Sequence, residues 1–194
     1  MIVKQLEVGL MDVFAYIIGC EKTKKATVVD PGGNAKQIAD EAKRSGLRIK
    51  YIVNTHSHFD HTTGNSRLSR ITGAQIIKRE DRQIDQEKVI YAGEIELKIF
   101  HTPGHSPDGI CLYAEGHLFT GDTLFVGTSG RTDLPGGDRP ALARSIRELM
   151  TLPDDTVVWP GHDYGPSKSS TIGWEKRNNK NAREYGYYVG DNSL

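Results

Sequence analysis

Thr55-His56-Ser57-His58-Phe59-Asp60-His61 packs three imidazoles and one carboxylate between positions 56 and 61. Neutral imidazole together with carboxylate suits zinc, iron or manganese, and the lack of a local cysteine argues against a closed thiolate zinc site. In an extended chain residues 56, 58 and 60 share a side while His61 points away, so a turn here can feed two adjacent metal positions. An isolated His-x-His is as well explained by a surface histidine pair. The rest of the chain has to decide.

Working outward, Ile49 to Val53 is a compact β-prone run, so the histidines begin where a strand should end. Reactive groups in α/β architectures gather at the carboxyl ends of strands, where the chain leaves the rigid sheet. The arrangement recurs. Ile95 to Phe100 leads to Thr102-Pro103-Gly104-His105, His117 to Thr120 leads to Gly121-Asp122, and Thr156 to Trp159 leads to Pro160-Gly161-His162. Each of these strand ends delivers a potential ligand, whereas His101 and His117 lie outside the turns and are expected in structural or surface roles.

Towards the amino terminus, Phe14 to Ile18 and Ala26 to Val29 are strand-like runs joined through a polar turn, Glu21 to Lys25. Asp30-Pro31-Gly32-Gly33-Asn34 then reverses the chain and offers a potential helix cap before Ile38, Ala39, Ala42 and Leu47, which follow helical spacing. Asp30 reads equally as a turn former before Pro-Gly or as a group holding the ligand loop from behind. Further helices are expected at Arg67–Thr72, Arg79–Lys88 and Pro140–Thr151, the last with Leu142, Ile146 and Leu149 on one face.

A length of 194 residues fits one domain, 1–194, with 163–194 as a short carboxy-terminal extension. Lys plus Arg and Asp plus Glu both total 25, so no broad field draws the protein to nucleic acid or to an anionic membrane. Glu7 and Asp12 interrupt the apolar start, no cleavage site follows, and no uncharged apolar run reaches the roughly 20 residues that span a bilayer. A cytoplasmic location is expected. Cys20 and Cys111 sit at the edges of apolar runs and are expected to be buried free thiols.

T-H-x-H-x-D-H, then T-P-G-H, then G-D, then P-G-H resembles, in order, the metallo-β-lactamase superfamily, from Asp30-Pro31-Gly32 through to His162. The resemblance implies an α/β fold of the αββα sandwich type. It assigns His56, His58 and His105 to one divalent metal ion and Asp60, His61 and His162 to a second, with Asp122 bridging. Zinc is the first expectation for both ions, with iron or manganese as alternatives. It further implies a metal-bridging hydroxide as nucleophile, with Asp60 and Asp122 as catalytic carboxylates that stay ionised beside the cations and orient it.

Thr102 to Pro107, Gly121 to Phe125 and Gly130 to Asp138 resemble the compact glyoxalase II-like (hydroxyacylglutathione hydrolase-like) group, which cleaves thioesters. A small-molecule thioester or glutathione-type substrate follows from that resemblance. Arg131, Tyr164, Lys168 and Arg177 are the expected substrate contacts, although Arg131 is as readily tied to Asp133 or Asp138. Only 32 residues follow His162, so the glutathione-holding helical region of the larger members has no simple counterpart. Glu175-Lys176-Arg177-Asn178-Asn179-Lys180-Asn181 resembles the basic ending of the compact members without the proline that usually follows; by itself it reads as a solvated helix end.

Gly130-Arg131-Thr132-Asp133 and His162-Asp163-Tyr164 also resemble the persulfide dioxygenases, for which His56, His105 and Asp122 would hold a single iron. The continuation Leu134-Pro135-Gly136-Gly137 favours the hydrolases. A non-catalytic metal-binding protein is the reading from another class, and the complete ligand set stands against it, since scaffolding needs no open dinuclear site.

Overall fold

The run Val13-Phe14-Ala15-Tyr16-Ile17-Ile18-Gly19 has no polar face, and its alternation sends side chains into two different apolar layers. In the computed structural model, which describes residues 1–9, 11–77 and 89–186, this run is β2 (Val13–Gly19), flanked by antiparallel β1 (Ile2–Val8) and β3 (Lys25–Val29). Helix α1 (Ala35–Arg44) crosses to β4 (Arg48–Val53), which lies parallel to β3; α2 (Phe59–Thr62) and α3 (Asn65–Thr72) then lead to the short parallel β5 (Gln75–Ile76). The first sheet has the order β1-β2-β3-β4-β5.

A second sheet follows the same plan of meander and then crossover. β6 (Val89–Ala92), β7 (Ile95–His101), β8 (Ile110–Ala114) and β9 (His117–Gly121) pair antiparallel. A hairpin of β10 (Leu124–Phe125) and β11 (Thr128–Ser129) precedes α4 (Arg139–Leu149), and β12 (Val157–Pro160) returns parallel to β9. β13 (Ser170–Thr171), α5 (Ile172–Asn178) and α6 (Lys180–Glu184) complete the described chain. The second sheet runs β13-β12-β9-β8-β7-β6.

Three apolar layers account for the stacking. Val13, Ala15 and Ile17 of β2 meet Ile38 of α1 and Leu68 of α3; Phe14, Tyr16 and Ile18 face Leu97, Leu112 and Phe119 of the other sheet; Cys111 and Leu118 meet Leu142, Ile146 and Leu149 of α4. Helix, sheet, sheet and helix therefore lie in that order, as an αββα sandwich. Cys20 and Cys111 are buried and free. Among the described residues no helix is long and apolar enough to cross a membrane.

The expected strands and the helices near 67–72 and 140–151 are present, while the expected helix at Arg79–Lys88 lies outside the described residues. One local expectation needs correction. Asn34 occupies the N-cap position of α1 but in a left-handed conformation (φ 40°), and its side chain makes no capping hydrogen bond. Asp138, by contrast, caps α4 by accepting from the Ala141 N–H. The apolar run beginning at Cys111 is strand β8, and the turn expected inside the histidine motif is the single helical turn of α2.

Candidate metal centre

Each ligand-bearing loop leaves the carboxyl end of a strand, and local features aim it. Between β9 and β12 the register shifts, Trp159 pairing with Phe119 but Pro160 with Gly121, so Thr120 bulges out just before Asp122. Gly121 follows at φ 47°, where an added Cβ would strike the Thr55 side chain. On the other sheet, the turn of α2 lifts Asp60 and His61 away from His56 and His58. That turn produces the two directions expected from the motif.

The seven predicted ligands converge. His58 Nδ1 lies 3.0 Å from His56 Nε2 and 2.9 Å from His105 Nε2. His61 Nε2 lies 3.2 Å from His162 Nε2, and His162 Nε2 lies 3.4 Å from Asp60 Oδ2. Donors held at roughly 2.0–2.1 Å around one tetrahedral ion are spaced about 3.3–3.4 Å apart, so these separations are those of a coordination shell. Three groups have their ligand atoms within 4.8 Å of one another: His56, His58 and His105; Asp60, His61 and His162; and, between them, His56, His61 and Asp122. Asp122 divides its oxygens, Oδ1 at 3.2 Å from His61 Nε2 and Oδ2 at 3.5 Å from His105 Nε2 and 3.4 Å from His162 Nε2.

Hydrogen bonds behind the ligands fix which nitrogen faces inward. His105 Nδ1–H donates to the Arg131 carbonyl (2.8 Å) and His162 Nδ1–H to the Met11 carbonyl (2.6 Å). His61 Nδ1–H donates to Asp30 Oδ2 at 3.0 Å. Thr55 gives its hydroxyl proton to Asp30 Oδ2 (2.6 Å), so its oxygen is free to accept from His56 Nδ1–H at 3.1 Å. The Nε2 lone pairs of these four imidazoles are thereby turned towards one another, and buried Asp122 Oδ1 has no hydrogen-bond donor. Converging lone pairs with an orphaned carboxylate oxygen fit a cation and little else.

Electrostatics separate the two ends. Burial pushes His56 down to about 4, reinforced by His61, and His58 is also lowered by burial and by His105. Burial opposes charge on His61 and His162 too, but the nearby carboxylates outweigh it: Asp30 and Asp122 raise His61 well above the ordinary range, and hydrogen bonds to Asp122 and Asp60 bring His162 up to about 9. Burial likewise works against Asp122 and Asp60, yet the neighbouring imidazoles, His162 beside both and His61 beside Asp122, hold the two carboxyls low. Both are ionised at neutral pH.

The predicted substrate contacts divide. Tyr164 lies at the centre, its ring stacked on His162 with centroids 4.5 Å apart and planes 10° apart. Arg131 contributes its carbonyl, but its guanidinium is held by Asp133 through two 2.6 Å hydrogen bonds. Lys168 Nζ lies 3.3 Å from Glu7 and 3.7 Å from Asp163. Arg177 is exposed in the last turn of α5 and acts on Asp154, before β12 and so at the end opposite the ligands; the structure does not bring it to the centre. His101 and His117 stay outside, as expected, His117 accepting from Trp159 Nε1 at 2.9 Å.

Sequence reasoning missed the support behind the second sheet. Glu175 and Asn179 are fully buried. Glu175 accepts from the Gly127 N–H (3.0 Å), Ser170 (2.5 Å) and Asn179 (2.7 Å), while Asn179 Nδ2 also donates to the Thr128 carbonyl (2.9 Å) and Asn181 Nδ2 to Ser129 (2.6 Å). This clamp holds the β10–β11 hairpin, which runs from Asp122 to the Arg131 carbonyl. Asn179 also caps α6, its side-chain oxygen accepting from the Asn181 and Ala182 N–H groups, and a capping asparagine is the one local signal that could have marked order here.

Residues 8–83 and 76–162 match the Metallo-beta-lactamase superfamily. The chain belongs to that superfamily. Within it, relatives named hydroxyacylglutathione hydrolase and persulfide dioxygenase support the glyoxalase II-like group. A hydroxyacylglutathione hydrolase of Polaromonas sp. is 40% identical over 78% of this chain and 62% of its own length. The human mitochondrial persulfide dioxygenase ETHE1 is 35% identical over 84% of this chain and 68% of that enzyme. Among solved superfamily structures, ETHE1 from Myxococcus xanthus superposes with a TM-score of 0.87 at 32% identity, covering 95% of this chain and 88% of that one.

Proposed function

We propose that this superfamily member is a dinuclear metallohydrolase that cleaves an acyl thioester into a carboxylic acid and a thiol. The observation that carries the reading is the division of Asp122, whose two oxygens face ligands of both triads, the arrangement a carboxylate needs to join two ions. His56, His58 and His105 would hold one divalent ion and Asp60, His61 and His162 the other, with zinc first and iron or manganese as alternatives. When bound, such a pair acidifies water to a hydroxide near neutral pH and polarises a carbonyl.

The chain's own residues supply orientation. Asp60, ionised and partly open to solvent, accepts a hydrogen bond from water at the centre and so sets its direction of attack. Once the imidazoles hold the ions through their inner nitrogens, and with the carboxylates ionised, none of the seven ligands has a proton to give a leaving group. That arrangement suits a thiolate, which leaves unprotonated with an ordinary pKa near 8.5, better than an amine. A glutathione-type carrier accords with the hydrolase relatives, and a reducing cytoplasm accords with two buried free thiols.

The similarity to ETHE1 over most of both chains favours a second reading, persulfide oxidation at a single iron held by His56, His105 and Asp122. Protein purified without added metal decides. Two metals per chain with oxygen-independent thioester hydrolysis are expected; a single iron, oxygen uptake with glutathione persulfide and negligible thioesterase activity would overturn the hydrolase.

A further inference from the structure

Among the described residues the exposed large hydrophobic side chains are Met11, Phe59, Ile71, Tyr91, Leu134 and Tyr164, and three of the six adjoin the metal centre. Phe59 stands in the chain between the ligands His58 and Asp60 and is 76% exposed. Tyr164, 52% exposed, stacks one face on His162 and reaches the Met11 carbonyl with its hydroxyl (3.4 Å), the same carbonyl that accepts from His162. Met11 is 59% exposed at the β1–β2 turn, where it and Asp12 both adopt positive φ. Helix α2 packs on β2, whose first residue, Val13, is bridged to His162. Single exposed hydrophobics are ordinary on a protein surface, but a group of three around a polar reaction centre marks a binding edge.

Charge on the same side points the same way. The two cations here that were expected to meet substrate carboxylates are already engaged, Arg131 by Asp133 and Lys168 by Glu7 and Asp163.

Resting on the thioester reading above, we infer that the substrate carries an apolar arm, aromatic or branched aliphatic, beside its thioester, and that Met11, Phe59 and Tyr164 hold this arm at the mouth of the metal centre. Phe59 and Tyr164 are specificity-determining residues in this assignment: their contact is made equally in the bound and reacting states, so it governs KM more than kcat. Covering some tens of Å² of apolar surface at such an edge changes affinity by about tenfold.

The test uses the metal-loaded protein and two substrate series. One varies the acyl half from 2-hydroxypropanoyl to phenylacetyl on one thiol, and the other varies the thiol half from glutathione to phenylethanethiol on one acyl group. Non-hydrolysable thioether analogues of both series are titrated calorimetrically, which reads binding apart from turnover. The expected result is a preference of about tenfold for the apolar member in one series, in Kd and in KM, and the responding series identifies which half bears the arm. Phe59→Ala and Tyr164→Ala, both at exposed positions and expected to melt like the parent, should each reduce that preference at least threefold. Hydrolysis without preference in either series, the polar member favoured in both series, or a preference untouched by both variants would overturn the inference. Apolar analogues that bind in a Phe59-dependent way without any thioester being cleaved would uphold the apolar edge and instead remove the hydrolase.

Discussion

Asp30, at the end of β3, and Glu175, in α5, are buried carboxylates that back the metal centre from opposite sheets. Asp30 accepts from the Thr55 N–H (2.7 Å), the Thr55 hydroxyl and His61, so it touches one ligand and reaches His56 through a single hydroxyl. Glu175 touches no ligand. It holds Gly127 and Asn179, and through them the hairpin that connects Asp122 to the Arg131 carbonyl. The first sheet thus presents His56 and His61 by charge, with their outer nitrogens bonded through or to a carboxylate, whereas the second presents Asp122 and His105 by backbone shape. Similar burial therefore does not mean similar influence on the metals.

Asp122 is where the two sides meet, and replacing it should have the largest effect. Asp122→Ala is expected to lower metal content at both triads and turnover by about 10³-fold or more. His61→Ala or His162→Ala should empty one triad only. Unchanged metal stoichiometry in Asp122→Ala, measured by elemental analysis, would break the comparison at its centre.

Asp30→Ala comes next. It leaves the Thr55 N–H and His61 Nδ1–H buried without an acceptor, a loss of roughly 3–5 kcal/mol where a buried pair is broken, and metal affinity should drop about 10–100-fold. Competition with a chromophoric chelator measures the second figure. Glu175→Ala should be milder at the metals, below about tenfold, while still destabilising the fold by about 2–3 kcal/mol through its stranded donors. If both variants lose metal equally, the distinction between charge and shape fails.

The smallest effect sharpens the difference. Burial raises the Glu175 carboxyl above its ordinary value, hydrogen bonds from Ser170, Asn179 and Gly127 only partly offsetting it. Between the unfolded value of 4.5 and the higher folded one, the folded protein binds more protons than the unfolded chain. Stability from this group is therefore complete below the unfolded value and lost as pH rises through the folded value. Glu175→Gln keeps an acceptor for Gly127 and Asn179, and Ser170 can turn to accept. Its melting temperature relative to the parent should rise between acid and neutral pH, with metal content unchanged. A variant that falls behind the parent as pH rises would contradict the assigned direction.

Most of the centre was legible because metal ligands announce themselves through residue type and spacing. Thr55 to His61, Pro103 to His105, Asp122 and Pro160 to His162 all lie where strand ends were expected, and the structure brings all seven together. The strands were legible because apolar alternation reports which layer a side chain enters. Glu175 and Asn179 were not, because Glu175 to Asn181 has no apolar period and its burial depends on a hairpin some 50 positions away in the chain, Asn179 reaching Thr128 across 51 residues. Arg177 misled for the same reason: a basic residue beside buried ones looks the same in sequence whichever way the helix turns. Asp30 was readable as a turn former or as a support, and its bonds to Thr55 and His61 show that it supports the ligands.

The bridge between Val13 and His162, with the Met11 carbonyl holding His162, ties the start of the chain to a residue near its end. On the ribosome the first sheet emerges early, with Asp30, His56, His58, Asp60 and His61 already in one continuous stretch. His162 follows His61 by 101 residues. At about 5–20 residues per second it appears roughly 5–20 s later. During synthesis the nascent chain therefore displays four of its seven candidate ligands before the other three exist, and any ion it captures then is held by an unfinished set. Which metal the cell offers in that interval becomes part of how the finished protein is loaded.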